Sequence, residues 1–449
     1  MSENQNPGPI DRLLGIFGDV RPGEGGTVLL MFSNVFLLLV GYYVLKTVRE
    51  PLILMAGGAQ LKSYAAAAQA LTLILYVPVY GWVASKLPRQ QFLMAVILFF
   101  VACIQFFYFA GQLGFPHLGF IFFVWVGIFS LTTIAQFWSY ANEIYAKDDG
   151  DRLFPLIAVG SAAGAPLGAA LAERLFGFDL SPYVMMQIAA GFLLLHLVLY
   201  RVVNKRVAGS TAPAREPMKK GNGFALVLKS PYLRYIALFL VLLNIVNTVG
   251  EYILGQAVVN MGNAQLATDP TFNKEAFIGT FYGTYFFWTN VATILIQAFI
   301  VSRIVKKFGM QGVLLALPLV ALSAYGLASV GAGLSVLLYV KIAENSTDYS
   351  VMNTGKQMMW LPTSREEKYK AKQAIDTFFV RSGDMLAAGV VFVGTHILSF
   401  SVTSFALSNI AFVLMAIGVA ILLLREYSRL TAPTEQPSLG AVAPQLQEG

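Results

Sequence analysis

Charged and amide side chains stand inside stretches of this chain that are otherwise apolar. The stretch KIAENSTDYSVMNTGKQMMWLP, 341–362, follows LSVLLYV and holds no helix breaker before its final proline, yet it carries Lys341, Glu344, Asn345, Asp348, Asn353 and Lys356. At 100° per residue, Lys341, Glu344, Asn345, Asp348 and Lys356 fall on roughly one side of a helix. The same spacing gathers Asn244, Asn247, Thr248 and Glu251 on a second stripe and Gln136, Tyr140 and Glu143 on a third, while Lys46, Arg49 and Glu50 cluster on a fourth segment. A Lys, Arg or Asp at the centre of a membrane helix costs about 2.5 to 3.5 kcal/mol, so such residues face a bundle interior or a watery cavity. There, cations hold an anion, amides orient it, and carboxylates pair with the cations or carry a proton. The competing reading is structural: the charges pair as glue between helices, or snorkel to an interface, as Glu143 and Lys356 could near helix ends.

The elements that must position these residues follow from composition. The chain has 449 residues, 57% hydrophobic and 12% charged, with a mean hydropathy of +0.65, far more apolar than a soluble domain. Spanning helices need about 20 mostly apolar residues. Such runs occur at 27–55, 63–85, 92–112, 118–144, 153–174, 182–203, 230–256, 276–302, 311–330, 334–360, 373–396 and 402–424. The expected fold is an all-α membrane protein with twelve transmembrane helices in two six-helix bundles. Residues 1–26 form an N-terminal segment with an amphipathic piece, IDRLLGIFGDV, and no cleavable signal; 27–203 the first bundle; 204–228 a polar linker; 229–429 the second bundle; 430–449 a disordered Pro-rich tail. Within the fifth run, Gly160, Gly164 and Gly168 stand four residues apart, a face on which a neighbouring helix packs closely.

Lys and Arg set the orientation. Counted from a cytoplasmic N-terminus, the inside loops hold most of the basic residues and the outside loops only Lys62, Arg174 and Lys274. Both termini and the linker are therefore expected in the cytoplasm, with the protein in the inner membrane. The halves also read as copies. TVREPLIL (47–54) aligns with TVGEYILG (248–255), and SKLPRQ (85–90) with SRIVKK (302–307). An internal repeat of six plus six helices is the architecture of major facilitator transporters, whose substrate sits near the midplane between the halves. In that arrangement the first and fourth helices of each half line the cavity, and these are the four that carry the polar stripes.

Other chemistries lack their parts. The single Cys103 excludes an intramolecular disulfide and a CxxC site, and His117, His196 and His396 are scattered, so no metal site is expected. There is no GxxxxGK[ST], HExxH or GxSxG, and no cofactor is implied. A membrane enzyme using Asp376 or Glu143 as a base is the weakest alternative. The net charge of +7 lies in short loops between apolar runs rather than on an extended basic face, which argues for topology and against nucleic acid.

Three further runs carry a resemblance. FWSYANEIYAKDDGDRLF (137–154), KQMMWLP (356–362) with KAKQAIDTFFVRSGD (370–384), and KSPYLRYIAL (229–238) upstream of Asn244 and Glu251 resemble motifs of the bacterial and plastid ATP/ADP translocases, over most of 28–395. The resemblance implies a twelve-helix facilitator fold that exchanges ATP for ADP or imports nucleotides with protons. It places Arg49, Glu143, Glu251 and Lys356 at the family's functional charges, and Asp376 and Arg381 in its eleventh-helix motif. Two departures accompany it. Asp348, Tyr349 and Ser350 stand where the family usually reads Lys-Tyr-Ser, and Leu254 and Gly255 where it tends to have Trp-Lys.

The expectation is thus a secondary transporter working by alternating access on an anionic solute, with ATP/ADP-type nucleotides leading. Lys46, Arg49, Asn247, Lys356 and Arg381 would bind substrate; Glu143, Glu251, Glu344, Asp348 and Asp376 would couple or gate; protons are the candidate coupling ion. The alternatives are a proton-coupled carrier of another anionic or phosphorylated solute and a non-transporting membrane receptor.

Overall fold

The computed structural model describes residues 8–84, 89–145, 147–207, 223–364 and 366–431. Helical rods stand at all the expected places. The first long helix, Gly25–Ala84, is broken at Gly57 and Gly58, where Gly58 takes φ 67°, a left-handed conformation open to glycine at little cost. It therefore comprises α1 (25–56) and α2 (59–84). They run antiparallel: Tyr42 and Leu52 of α1 meet Phe129 and Gly119, while Gln69 and Tyr76 of α2 meet Gly127 and Thr132. Then follow α3 (Arg89–Gln112), α4 (Leu118–Ile144), α5 (Lys147–Gly177), α6 (Pro182–Val207), α7 (Pro231–Thr268), α8 (Lys274–Phe299), α9 (Val301–Ser329), α10 (334–358), α11 (367–397) and α12 (Val402–Thr431).

By length and hydropathy, nine helices among the described residues could cross a membrane, with Gly25–Val83 taken as one. α8 and α10 fall outside that set because their polar residues lower the hydropathy. The expected linker core, 208–222, and the tail from 432 lie outside the described residues. Two expectations about helix ends are corrected. α7 continues about three turns past 256 to Thr268, and SRIVKK is helical rather than a loop, the break coming at Gly309 with φ 57°.

Packing follows the small residues. Added Cβ atoms at Gly160, Gly164 and Gly168 would lie 2.5, 2.6 and 2.6 Å from the carbonyl oxygens of Phe32, Phe36 and Val40, so α5 lies directly on the backbone of α1. Before α1, the short helix Pro9–Leu14 is tied down by Asp11, whose carboxylate accepts from the backbone N–H groups of Gly8, Gly23 and Gly25 at 2.9, 3.0 and 2.8 Å. Those bonds, the one from Gly23 first, hold the Asp11 carboxyl below its usual range. Ile10, Leu13, Ile16 and Phe17 stay exposed beside it, an apolar face suited to a membrane surface.

The first six and the last six helices are in direct contact at one end of the bundle, termed distal here (the other end proximal), where α1 turns into α2. There Gly279 of α8 lies against the ring of Phe176 in α5 and Gly283 against Glu173. Asn273 donates to Asp179 at 2.9 Å, and Gln60 of α2 donates to Thr395 of α11 at 3.2 Å.

Candidate functional site

Between the two groups of helices lies a cavity of about 540 Å³. Its walls come from α1, α2, α4, α7, α8, α10 and α11. Five cations line it (Lys46, Arg49, Lys62, Lys356, Arg381), with three carboxylates (Glu251, Asp348, Asp384) and the rings of Tyr42, Phe123, Tyr252, Phe286 and Tyr349. Asn244, Asn247 and Asn345 add amides.

The distal end of the cavity is sealed by a chain of buried charges. Lys62 Nζ lies 2.7 Å from Glu50 and 3.3 Å from Glu251, and also donates to the Tyr282 hydroxyl at 3.2 Å. Glu50 and Glu251 are the two residues that the TVREPLIL and TVGEYILG alignment makes equivalent, so one lysine is clasped by the same carboxylate from each half. Arg49 Nε donates to Glu50 at 3.1 Å, and the Arg49 guanidinium stacks 4.1 Å above the ring of Phe123. On the other side, Lys341 lies 3.7 Å from Glu251 and 3.2 Å from Glu344, and donates to Asn247 at 2.9 Å. The Tyr285 hydroxyl donates to Glu251 at 2.9 Å and that of Tyr325 to Glu344 at 2.7 Å. Buried charges are tolerated when each is paired and hydrogen-bonded in this way. The repeat is not symmetric, however. Opposite Arg49 stands Gly250, and a Cβ there would lie on the Tyr325 hydroxyl.

Toward the proximal end the charges are looser. Lys356 is 3.2 Å from Asp348, with side chains 36% and 24% exposed. Arg381 is 3.7 Å from Asp384, which accepts from Thr248 at 2.9 Å. The backbone of α10 forms a π-helical turn at Asp348–Met352; a single π turn inside an α-helix often marks a functional site.

The structure thus brings together Lys46, Arg49, Asn247, Glu251, Asp348, Lys356 and Arg381 around one cavity, with Glu344 immediately behind it. It does not bring Glu143 there. The stripe of α4 is corrected: Gln136 and Tyr140 are buried among α1, α3 and α6, beside Asn34, His196 and Tyr200, and Glu143 follows them at the end of α4, away from the lining. Asp376 is exposed on α11, also outside the lining. The sequence reading missed Lys62, counted there as an outside-loop base, and Asp384, Tyr285 and Tyr325. Asp384 was detectable: it lies in an apolar run three residues after Arg381, the spacing of helical neighbours.

The family profile described as TLC ATP/ADP transporter matches residues 119–330. ADP,ATP carrier protein 1 of Chlamydia trachomatis is 25% identical over 455 aligned residues, covering 84% of this chain and 83% of the relative. The chain is similar to the ADP,ATP carriers over most of its length. A chloroplastic member from Arabidopsis thaliana, ADP,ATP carrier protein 2, is also 25% identical, over 55% of this chain and 44% of the plant protein. Among solved structures, the nucleoside transporter NupG superposes with a TM-score of 0.65 at 14% identity over 89% of this chain and 99% of that one. The peptide transporter POT in complex with sulfate superposes with a TM-score of 0.65 at 13% identity over 94% and 98%. The chain shares the fold of these transporters.

Proposed function

We propose that this protein is a secondary transporter that exchanges or imports nucleotides of the ATP/ADP type across the inner membrane by alternating access. The observation that carries the reading is the cavity between the two helix groups, which combines cations, amides and aromatic rings in a volume of about 540 Å³, within the usual range for small-molecule sites. Lys46, Arg49, Lys356 and Arg381 supply positive charge for phosphoryl oxygens. The guanidinium groups offer a planar fork that lysine lacks. The rings of Tyr42, Phe123, Tyr252, Phe286 and Tyr349 offer faces for a base, where stacking contributes about 1 to 3 kcal/mol. The names of the ADP,ATP carrier relatives support the same substrate class.

In this reading the proximal end, where Lys356 lies, faces the cytoplasm, and both chain termini and the 204–228 linker are cytoplasmic, as the asymmetry of Lys and Arg favours. The described state is then closed to the outside and loosely packed toward the inside. Glu251, Glu344 and Asp348 are the carboxylates placed to couple or gate; Glu143 and Asp376 would act only from the cytoplasmic side of the bundle.

Countertransport tests the function. Proteoliposomes loaded with unlabelled ADP should take up labelled ADP or ATP faster than empty ones, and Arg49→Ala should abolish the acceleration while leaving expression intact. Equal uptake with and without internal nucleotide would remove the exchange reading. A periplasmic reporter fused within the linker should stay inactive.

A further inference from the structure

The cavity holds less free positive charge than its basic residues suggest. Its five lining cations face three lining carboxylates, Glu251, Asp348 and Asp384, and Glu50 stands immediately behind them as a fourth, paired with both Arg49 and Lys62. Lys341 and Glu344 cancel each other at 3.2 Å. One positive charge is left over. It has a definite location, because Lys356 and Arg381 pair with Asp348 and Asp384, whereas Lys46 has no ion pair among the described residues. Its ammonium is held instead by ring faces, 4.3 Å from the centroid of Phe286 and 5.0 Å from that of Tyr43. Such contacts hold a cation without neutralising it.

Resting on the nucleotide reading, we infer that this cavity selects a nucleotide carrying one or two negative charges, a nucleoside monophosphate ahead of a triphosphate. The phosphoryl group is anchored at Lys46, and Asp348 and Asp384 are the specificity-determining residues. A phosphomonoester carries about −1.5 to −2 near neutral pH, which Lys46 and the half-shared Arg49 can match. Each further phosphate must approach Lys356 or Arg381, where a carboxylate already occupies the cation and repels the newcomer. The Phe286 ring that holds the Lys46 ammonium belongs to α8 of the second half, so an anchored phosphoryl group would touch both halves.

The test uses the purified full-length protein, titrated with AMP, ADP and ATP at fixed ionic strength in the presence of EDTA. We expect AMP to bind tightest and ATP at least about tenfold more weakly. Magnesium should narrow the gap by neutralising the triphosphate. Asp348→Asn and Asp384→Asn should each shift the ATP-to-AMP affinity ratio several-fold toward ATP, and Lys46→Met should abolish AMP binding. ATP bound as tightly as AMP by the native protein without magnesium overturns the inference while leaving the nucleotide reading intact. An affinity ratio unmoved in both asparagine variants overturns it in the same way. Failure of all three nucleotides to bind removes both. Should an asparagine variant fail to fold, the ratio in the native protein decides.

Discussion

The two ends of the cavity use the same chemistry to different purpose. At the distal end Glu50, Lys62, Lys341 and Glu344 are nearly inaccessible, at 0, 6, 3 and 2% exposure, and Lys62 ties α2 to α7 across the two helix groups. At the proximal end Lys356 and Asp348 lie on one helix and remain partly open. The difference teaches what each cluster can do. A buried pair between halves holds a path closed, because separating it takes a partner from each charge where water is scarce; a half-exposed pair within one half leaves its end of the cavity open to a solute. The distal cluster also holds a reserve. Glu50 and Lys62 both belong to the first group of helices, and Glu251 and Lys341 to the second, so the Lys62 to Glu251 link can part while each carboxylate keeps a cation. After such an alternating-access step every ion still has an opposite charge within its own group, Glu50 being shared by Arg49 and Lys62 and Lys341 by Glu251 and Glu344, which lowers the cost of parting.

The largest expected effect is at Lys62. Lys62→Met leaves buried Glu50 with Arg49 alone and Glu251 with the more distant Lys341 alone and should destabilise the fold by about 3 to 5 kcal/mol, read as a lower midpoint in thermal unfolding in detergent. Adding Glu251→Gln should restore part of the loss. If Lys62→Met melts like the native protein, the contrast between the ends disappears.

A wedge at the distal contact should act next. A Cβ at Gly283 would lie 2.7 Å from the Cβ of Glu173, so Gly283→Val should cost about 1 to 3 kcal/mol through overpacking. It should also raise labelling of a cysteine placed at Gln60 by an impermeant outside reagent. Unchanged labelling would mean that α5 and α8 do not hold that end shut.

Tyr325 probes the buried side of the cluster. Tyr325→Phe removes the 2.7 Å bond to Glu344 and should cost about 1 to 2 kcal/mol, measured as a shift in unfolding midpoint. A shift as small as that of a lipid-facing tyrosine would show that Glu344 is satisfied by Lys341 alone.

The smallest stability effect belongs to the proximal pair. Lys356→Met should cost no more than about 1 kcal/mol, as exposed ion pairs do, while weakening nucleotide binding. A large loss of stability there, without any change in binding, would reverse the roles assigned to the two ends.

How much of this was legible in the sequence depends on the residue. Apolar run lengths located the helical rods because membrane thickness dictates them, and the 100° spacing put Glu251, Asp348 and Lys356 on stripes that do face the cavity. The same rule misled at Gln136 and Tyr140. A polar stripe states that one side of a helix is shielded from lipid, but the shield can be the interior of its own six-helix group, as it is for α4. Lys62 was lost for a different reason: it follows a Gly-Gly break, and a positive residue near a turn reads as loop until the turn is known to be tight.

By itself, the sequence determined the membrane setting, the helical periodicity, the order of the charged stripes and the small-residue face of α5 on which a neighbouring helix packs closely. These depend on local composition and spacing, which one strand of text carries in full. Only the tertiary structure decided which charge answers which. Glu50 and Glu251 are 201 positions apart yet share Lys62, and Lys341 of α10 reaches Glu251 and Asn247 of α7. An ion pair depends on distance in space, and at a given helix rotation a single residue can meet any of several neighbours, so partner choice enters only when all the helices are packed together.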